Sequence, residues 1–311
     1  SIKIASNENC IGPSPLAIEA IKNNLHKIHY YPDSDCYFLK KKLSEHFNLP
    51  KDNFVIGNGS NEIIEMLVRT LLDKMDEVII PTPSFIVYPL IPHSAGIKYH
   101  QVPLTNEFEY DIENISSKIN KNTKMIFFAN PNNPTGTIVK NKDILRLLDT
   151  IDKKIFILMD EAYFEYVDCE DFPDSIALQT KYPNIITLRS FSKIYGLAGL
   201  RIGYAITTPE IAKYLNKAKQ PFNVNMIAQI AATSAIDDKN HVDNSVTSNK
   251  RGKDYLYHEL AKIENISYTE TYANFILIDL KRESLPIYNK LLLAGIIVRP
   301  MVNWGLPNHI R

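Results

Sequence analysis

Short apolar runs of strand length recur along the middle of the chain, and stretches with helical periodicity separate them. The runs are NFVIG, EVIIP, KMIFFANP, IFILMDEAY, NIITLRSFSK and LRIGYAIT, which begin at residues 53, 77, 124, 155, 184 and 200. They are rich in Ile, Val and Phe on both faces, which is typical of strands in a buried parallel sheet. Between them, SNEIIEMLVRTLLDKM and KDILRLLDTI place apolar residues on one helix face. The alternation predicts an α/β fold whose mainly parallel sheet is covered by helices.

The pattern changes near residue 240. KRGKDYLYHELAKI predicts a long helix, and the strand-like ANFILIDL, the helical LPIYNKLLLAG and the strand IIVRPM follow it. We therefore predict an N-terminal segment, 1–45, that contributes to a small domain, a large domain, 46–240, and a smaller α+β domain, 241–311. A chain of 311 residues is long enough for two hydrophobic cores. We expect the only tryptophan, Trp304, either to pack in the core of the small domain or to line its loop, and we favour the core.

The composition excludes several classes of protein. Lys plus Arg and Asp plus Glu both number 35, so no charge excess favours nucleic acid as a partner. Cys10, Cys36 and Cys169 lie far apart, which fits neither a disulfide framework nor a metal site. No apolar run approaches the roughly 20 residues that span a membrane, and no signal peptide begins the sequence. We expect a soluble, cytoplasmic protein without a metal.

Polar residues that directly follow the apolar runs are the candidates for chemistry, because ligands of open parallel sheets bind beyond the carboxyl ends of the strands. Asp160 ends an almost wholly apolar run. A facing cation, such as a protonated pyridine nitrogen, would stabilise a carboxylate there; the alternative is a helix N-cap. Lys193 follows the next run in a Ser-rich turn. Desolvation would lower its pKa and suit its amine to imine formation, whereas most lysines are solvated surface residues.

Hydroxyl, guanidinium and backbone N–H groups form a candidate phosphate site near these two residues. Ser190 and Ser192 flank the lysine turn, and Arg201 follows in a Gly-rich loop. Hydroxyls and guanidinium groups both donate hydrogen bonds to phosphate oxygens. The turn GNGSNEIIEM begins a helix at Ser60 and Asn61, where free N–H groups and the helix dipole favour an anion. The alternative is that Ser60 and Asn61 only cap the helix.

The segment ANPNNPTG after the run KMIFF is the fourth candidate. Its two Asn–Pro steps impose extended or turn geometry, which would fix the amide of Asn133 against the ring oxygen of a ligand. Taken alone it is an ordinary turn sequence. All four signals fall after core strands of one α/β domain, so we predict that they form a single site.

The motifs, taken in order, resemble those of the fold-type I pyridoxal-phosphate aminotransferases, and most closely the histidinol-phosphate aminotransferases. The resemblance extends from SNENCIGPSP through YYPDS, GNGSNEII, PTPSF, NPNNPTG, DEAY and SFSKIYGLAGLRIGY to PFNVN, NFIL and GIIVRP. It implies pyridoxal phosphate as the cofactor and a homodimer with shared active sites, to which the segment 1–45 contributes contacts. It also implies the fold of these transferases, a large α/β domain beside a smaller α+β domain.

The resemblance implies a role for each residue around the cofactor ring. Lys193 would bind the cofactor covalently, and would then move the substrate proton as general base and acid. Asp160 would pair with the ring nitrogen. Tyr163 and Asn133 would hydrogen-bond the ring hydroxyl, and Phe85 would stack on the ring face.

It implies binding sites for anions as well. The phosphate would be held by Ser60, Asn61, Ser190, Ser192 and Arg201, together with Tyr31 of the partner subunit. Arg299 and Arg311 would bind the anionic groups of the substrates, with Arg311 on the carboxylate. Two features depart from the family: Cys10 replaces a common proline, and relatives continue past Arg311. We therefore expect the small domain to be incomplete at its C-terminal end.

The implied reaction is a transamination in two stages, in which small-molecule substrates exchange an amino group. The favoured substrates are L-histidinol phosphate and 2-oxoglutarate, which give imidazole acetol phosphate and L-glutamate in histidine biosynthesis. Two alternatives keep the cofactor: decarboxylation of a phosphorylated amino acid, and transamination of aromatic amino acids. A non-catalytic sensor module is disfavoured, because the sequence shows no basic recognition helix.

Overall fold

The computed structural model describes residues 1–311, which form twelve β-strands in three sheets and eleven α-helices. The strands are β1 (Ile2–Lys3), β2 (Phe54–Gly57), β3 (Glu77–Thr82), β4 (Lys98–Pro103), β5 (Thr123–Ala129), β6 (Phe156–Asp160), β7 (Ile185–Ser190), β8 (Gly203–Ile206), β9 (Ser267–Thr269), β10 (Leu277–Asp279), β11 (Ile296–Ile297) and β12 (His309–Ile310). The helices are α1 (Pro15–Asn24), α2 (Tyr37–Phe47), α3 (Gly59–Leu71), α4 (Val87–Ser94), α5 (Ile112–Ser117), α6 (Asn141–Leu148), α7 (Ser175–Leu178), α8 (Pro209–Ala218), α9 (Met226–Ala235), α10 (Lys239–Leu260) and α11 (Ser284–Leu293).

The largest sheet has seven strands in the order β2-β8-β7-β6-β5-β3-β4. Strands β3 to β7 pair in parallel, whereas β8 is antiparallel to both of its neighbours. The predicted mainly parallel α/β sheet is therefore confirmed. The register places Asp160 beside Ala129 of β5 and Leu188 of β7, so the segments that follow these three strands meet at one edge of the sheet.

Alternate residues of the central strands face two different layers of helices. Phe127 and Leu158 pack with Ile63 and Leu67 of α3 on one face, and Phe128 packs in the core cluster of the opposite face. Burial of each such side chain stabilises the fold by about 1.5–3 kcal/mol. The sheet is thus buried on both sides, which explains why its central strands are largely apolar on both faces.

Strand β4 was not predicted from the sequence. Its residues, KYHQVP, are mostly polar, and only Val102 is buried. It pairs with β3 alone at the edge of the sheet. The strand at the opposite edge, β2, is buried at every position, whereas β4 lacks the apolar pattern because most of its side chains remain exposed or half-buried.

The remaining strands lie near the two ends of the chain. β1 pairs in parallel with β11, and β10 pairs with β9 and β12 in an antiparallel sheet. The long helix predicted at KRGKDYLYHELAKI begins earlier, at Lys239. No helix combines the length and the apolar character that a membrane crossing requires. The division of the chain at residues 45 and 240 stays a prediction.

Candidate active site

A cavity of about 450 Å³ opens at the carboxyl edge of the large sheet. Twelve of the thirteen residues predicted for the site line it: Ser60, Asn61, Phe85, Asn133, Asp160, Tyr163, Ser190, Ser192, Lys193, Arg201, Arg299 and Arg311. They come from the start of α3, from the segments after β3, β5, β6 and β7, and from the C-terminal end of the chain. The four groups of residues that we expected to form a single site therefore line a single cavity.

Asp160 is buried at the end of β6. Its Oδ1 atom accepts a hydrogen bond from the backbone N–H of Ala162 at 3.2 Å, and its Oδ2 atom accepts one from the hydroxyl of Tyr88 at 2.9 Å. Burial raises the pKa of Asp160 to about 6, although these donors and nearby Lys193 favour the charged form. No α-helix begins here, since a short 3-10 helix follows at Phe164–Tyr166. The carboxylate is therefore no helix N-cap, and a cation in the cavity would stabilise its charge.

Lys193 lies three residues beyond the end of β7 and is half-buried. Its Nζ atom is 5.4 Å from the centre of the Tyr163 ring. Tyr163 is buried, and its hydroxyl accepts a hydrogen bond from the amide of Asn7 at 3.0 Å. The cavity thus contains an amine, a phenol and a carboxylate that come from the ends of two adjacent strands.

The start of α3 lies against the guanidinium group of Arg201. A Cβ atom added to Gly59, where φ is +75°, would come within 2.5 Å of Arg201 Nη2. One added to Gly203 would come within 2.9 Å of the backbone nitrogen of Ser60. Asn58, at the N-cap, makes no side-chain hydrogen bond to the helix, so its side chain leaves the first N–H groups free.

Free helix N–H groups, serine hydroxyls and a guanidinium are the donors that bind a phosphate. Ser190 and Ser192 complete the set; the N–H of Ser192 donates to Ser190 Oγ at 3.0 Å. With Lys193 and Asp160, this cavity fits a ligand that has a phosphate, a carbonyl and a basic ring nitrogen. Pyridoxal phosphate has these three groups.

Arg299 and Arg311 are held side by side through their backbones. The N–H of each donates to the carbonyl of the other, at 3.1 and 2.8 Å. Both side chains then reach the carbonyl of Ala5, from Arg299 Nε at 3.3 Å and Arg311 Nη2 at 2.9 Å. Arg311 Nη1 also donates to Oδ1 of Asn133 at 2.5 Å. Burial lowers the pKa of Arg311, but a guanidinium keeps its charge in proteins, so this part of the cavity suits anions.

Tyr31 is the one predicted residue that lies outside the cavity. It is 82% exposed, and its ring stacks on Phe222 with centroids 4.7 Å apart. Ile28 and Tyr30 are exposed beside it around a second hollow. Within one chain, Tyr31 therefore does not take part in the phosphate site.

Ten of the residues that line the cavity were not predicted for the site from the sequence, among them Tyr88, Asn7 and Trp304. Tyr88 lies in the apolar stretch FIVYPL, where a buried core position is the ordinary interpretation. Asn7 belongs to an N-terminal segment that folds back over the site. Trp304, for which we favoured the core of the small domain, instead is half-buried and lines the cavity. None of the three left a distinct signal, because aromatic residues are ordinary in a core and Asn7 lies far along the chain from the strands that carry the other site residues.

A buried ion pair lies next to the catalytic candidates in the sequence. Glu161, which follows Asp160, accepts hydrogen bonds at one oxygen from Nε and Nη2 of Arg189 at 3.0 and 2.8 Å. Arg189 directly precedes Ser190, and its guanidinium lies 3.5 Å from the centre of the Phe164 ring. The pair joins the ends of β6 and β7, and therefore fixes the segments that carry Asp160 and Ser190 relative to each other.

Comparisons with known proteins extend over the whole chain. A family model described as aminotransferase class I and II matches residues 1–311. The histidinol-phosphate aminotransferase of Moorella thermoacetica is 41% identical over 311 residues, which are 100% of this chain and 80% of that protein. Histidinol-phosphate aminotransferase 1 of Mannheimia succiniciproducens is 42% identical over 310 residues, covering 100% of this chain and 84% of that protein. The crystal structure of the histidinol-phosphate aminotransferase from Clostridium acetobutylicum superposes with a TM-score of 0.91 at 28% identity, covering 100% of this chain and 93% of that chain.

Proposed function

The chain belongs to the aminotransferase class I and II family, and on that premise we propose that it transfers an amino group between L-histidinol phosphate and 2-oxoglutarate. The products would be imidazole acetol phosphate and L-glutamate. The predicted family, the transamination and the cofactor pyridoxal phosphate are confirmed. The choice of substrates is supported by relatives about 40% identical that carry the name histidinol-phosphate aminotransferase.

When bound, pyridoxal phosphate supplies a protonated ring that withdraws electrons from the α-carbon of the substrate. Lys193 would bind the cofactor through its amine, and would afterwards accept and return the α-proton at Nζ. Asp160 would hold a proton on the ring nitrogen, since its buried carboxylate needs a compensating cation. Tyr163 and Asn133 would hydrogen-bond the ring hydroxyl, and Phe85 would pack on the ring face.

The phosphate of the cofactor would bind at the start of α3. The residues proposed for it are Ser60, Asn61, Ser190, Ser192 and Arg201, with Tyr31 of the partner subunit. The exposure of Tyr31 beside Phe222, Ile28 and Tyr30 supports a homodimer, because a second copy would bury these apolar side chains. We place this homodimer in the cytoplasm.

The substrate assignment rests on the paired arginines, Arg299 and Arg311. Arg311 would bind the carboxylate of 2-oxoglutarate or glutamate, and Arg299 beside it would bind the second anionic group, including the phosphate of L-histidinol phosphate. The observation that supports this assignment is their joint placement in the cavity that contains Lys193 and Asp160. Two guanidinium groups suit a substrate with a phosphate better than an uncharged aromatic side chain.

The test compares substrates on the purified enzyme with added pyridoxal phosphate. We expect kcat/KM for L-histidinol phosphate with 2-oxoglutarate to exceed that for L-phenylalanine by tenfold or more, with L-glutamate as the product. Arg299→Gln should reduce kcat/KM for the phosphorylated substrate by about tenfold to a hundredfold, which is the usual loss when a charge-assisted hydrogen bond is removed. The exposed Arg282 provides the matched control, Arg282→Gln. Release of carbon dioxide, or equal rates with L-phenylalanine, would contradict the proposal and favour one of the two alternatives.

A further inference from the structure

The hydroxyl of Tyr88 reaches the active-site carboxylate from inside the core. Tyr88 lies in the first turn of α4 and is fully buried. Its ring stacks on Phe127 of β5, with centroids 5.0 Å apart and planes at 9°. It also meets Phe85 edge to face, at 5.6 Å and 88°. The hydroxyl is then 2.9 Å from Oδ2 of Asp160, so one side chain contacts both the carboxylate and the cavity phenylalanine.

The polar groups around Asp160 define what Tyr88 contributes. A carboxylate accepts about four hydrogen bonds, and here Ala162 N–H and the hydroxyl of Tyr88 supply one to each oxygen. Burial and the charge of Asp160 raise the pKa of Tyr88 well above its ordinary value, so this hydroxyl remains a donor. The other ionisable groups near Asp160 are Lys193 and the phenol of Tyr110. Tyr88 is therefore the only side chain that hydrogen-bonds the carboxylate.

We propose that Tyr88 is a positioning residue of the transamination: its hydroxyl keeps Asp160 ionised and oriented for the ring nitrogen of the cofactor, while its ring fixes Phe85. This inference rests on the proposed pairing of Asp160 with that nitrogen. A donor to the carboxylate makes it less basic, so a proton shared between Asp160 and the ring stays on the nitrogen. Without the donor, the proton moves towards the carboxylate oxygen and the ring withdraws electrons less strongly.

The test is the substitution Tyr88→Phe, which keeps the ring contacts with Phe127 and Phe85 and removes only the hydroxyl. Tyr110→Phe is the matched control. Tyr110 is also buried beside the site, but its hydroxyl donates to the carbonyl of Ala129 at 2.5 Å and not to Asp160. Both variants remove one buried hydroxyl, so they share any general cost in stability.

Two measurements on the purified enzyme separate positioning from structural support. The first is the nitrogen-15 chemical shift of ring-labelled pyridoxal phosphate bound to each protein, which reports whether the ring nitrogen is protonated. The second is the dissociation constant of the cofactor. Tyr88→Phe should move the nitrogen signal towards that of neutral pyridine and weaken cofactor binding about tenfold, whereas Tyr110→Phe should leave both as in the wild type.

Equal nitrogen shifts in the wild type and Tyr88→Phe would overturn the inference. It would also be overturned if Tyr88→Phe and Tyr110→Phe changed the nitrogen shift and the dissociation constant equally. Asp160→Asn distinguishes this failure from failure of the proposed site. If Asp160→Asn leaves the nitrogen signal and cofactor binding unchanged, the ring nitrogen does not pair with Asp160, and the proposed site itself is wrong. If only Asp160→Asn changes them, the site stands and Tyr88 has no positioning role.

Discussion

Replacing Glu165 with Gln should stabilise the protein increasingly as the pH rises. Glu165 lies in the short 3-10 helix after β6, and its Oε2 atom is buried without a hydrogen-bond partner. Burial raises its pKa from 4.5 to about 7, with Arg189 opposing and Glu161 adding to the increase. Arg189 is already paired with Glu161. The carboxylate of Glu165 therefore lies near a single guanidinium group that already pairs with Glu161.

The size of the effect follows from linkage between proton binding and folding. A raised carboxyl pKa means that the folded state binds the proton more tightly than the unfolded chain, so stability is lost as the pH rises from about 4.5 to about 7. One pKa unit corresponds to about 1.4 kcal/mol, and moving the pKa from 4.5 to about 7 gives about 3 kcal/mol in total. Most of this, about 2.5 kcal/mol, is lost between pH 5 and pH 8.5. Gln has nearly the same shape and does not titrate.

The assay is urea unfolding of the wild type, of Glu165→Gln and of the exposed control Glu170→Gln at pH 5 and pH 8.5. Protein and cofactor concentrations stay fixed, because both affect apparent stability. The gain of Glu165→Gln over the wild type should be about 2.5 kcal/mol larger at pH 8.5 than at pH 5, while Glu170→Gln follows the wild type at both. A gain that is the same at both pH values would refute the reasoning, because it would mean that the folded state does not raise the pKa of Glu165.

Two further predictions concern the proposed catalytic residues. Lys193→Ala should abolish transamination while the far-ultraviolet circular dichroism and the urea midpoint stay close to the wild type; turnover at the wild-type rate would remove Lys193 from the mechanism. Arg311→Lys should raise KM for 2-oxoglutarate about tenfold or more, because an ammonium cannot make the forked contact with a carboxylate. Steady-state kinetics would show this, and an unchanged KM would place the carboxylate elsewhere.

The central sheet could be predicted because burial on both faces leaves a direct trace in the sequence. Every residue of β2 is buried, and five of the six residues of β3 are, so these strands appear as continuous apolar runs. β4 leaves no such trace, since only Val102 of its six residues is buried. Helix α10 was recognised only in its second half. Its first turns read KNHVDNSV, which has little apolar periodicity, and the buried His241 and Ser245 do not identify a helix from sequence alone.

The residues of the site likewise divide into those that leave a trace in the sequence and those that do not. Asp160 and Lys193 were identifiable because charged residues are unusual directly after apolar strands, and parallel strands bring their ends together. Tyr88 and Trp304 were not, because aromatic residues are ordinary in a core. Their positions depend on which way the helix or loop carrying them turns. A single sequence does not encode that orientation in any local pattern.

The arginine pair shows how distant parts of the chain complete the cavity. Backbone hydrogen bonds between Arg299 and Arg311 fix where both side chains begin. Their guanidinium groups then share the carbonyl of Ala5, two residues before Asn7, whose amide donates to Tyr163. A neutral carbonyl competes weakly with an anion for such donors, because an anion adds the attraction between opposite charges to the hydrogen bonds. The N-terminal segment therefore holds the arginines in place without satisfying them, and a substrate carboxylate or phosphate would bind to donors that are already oriented.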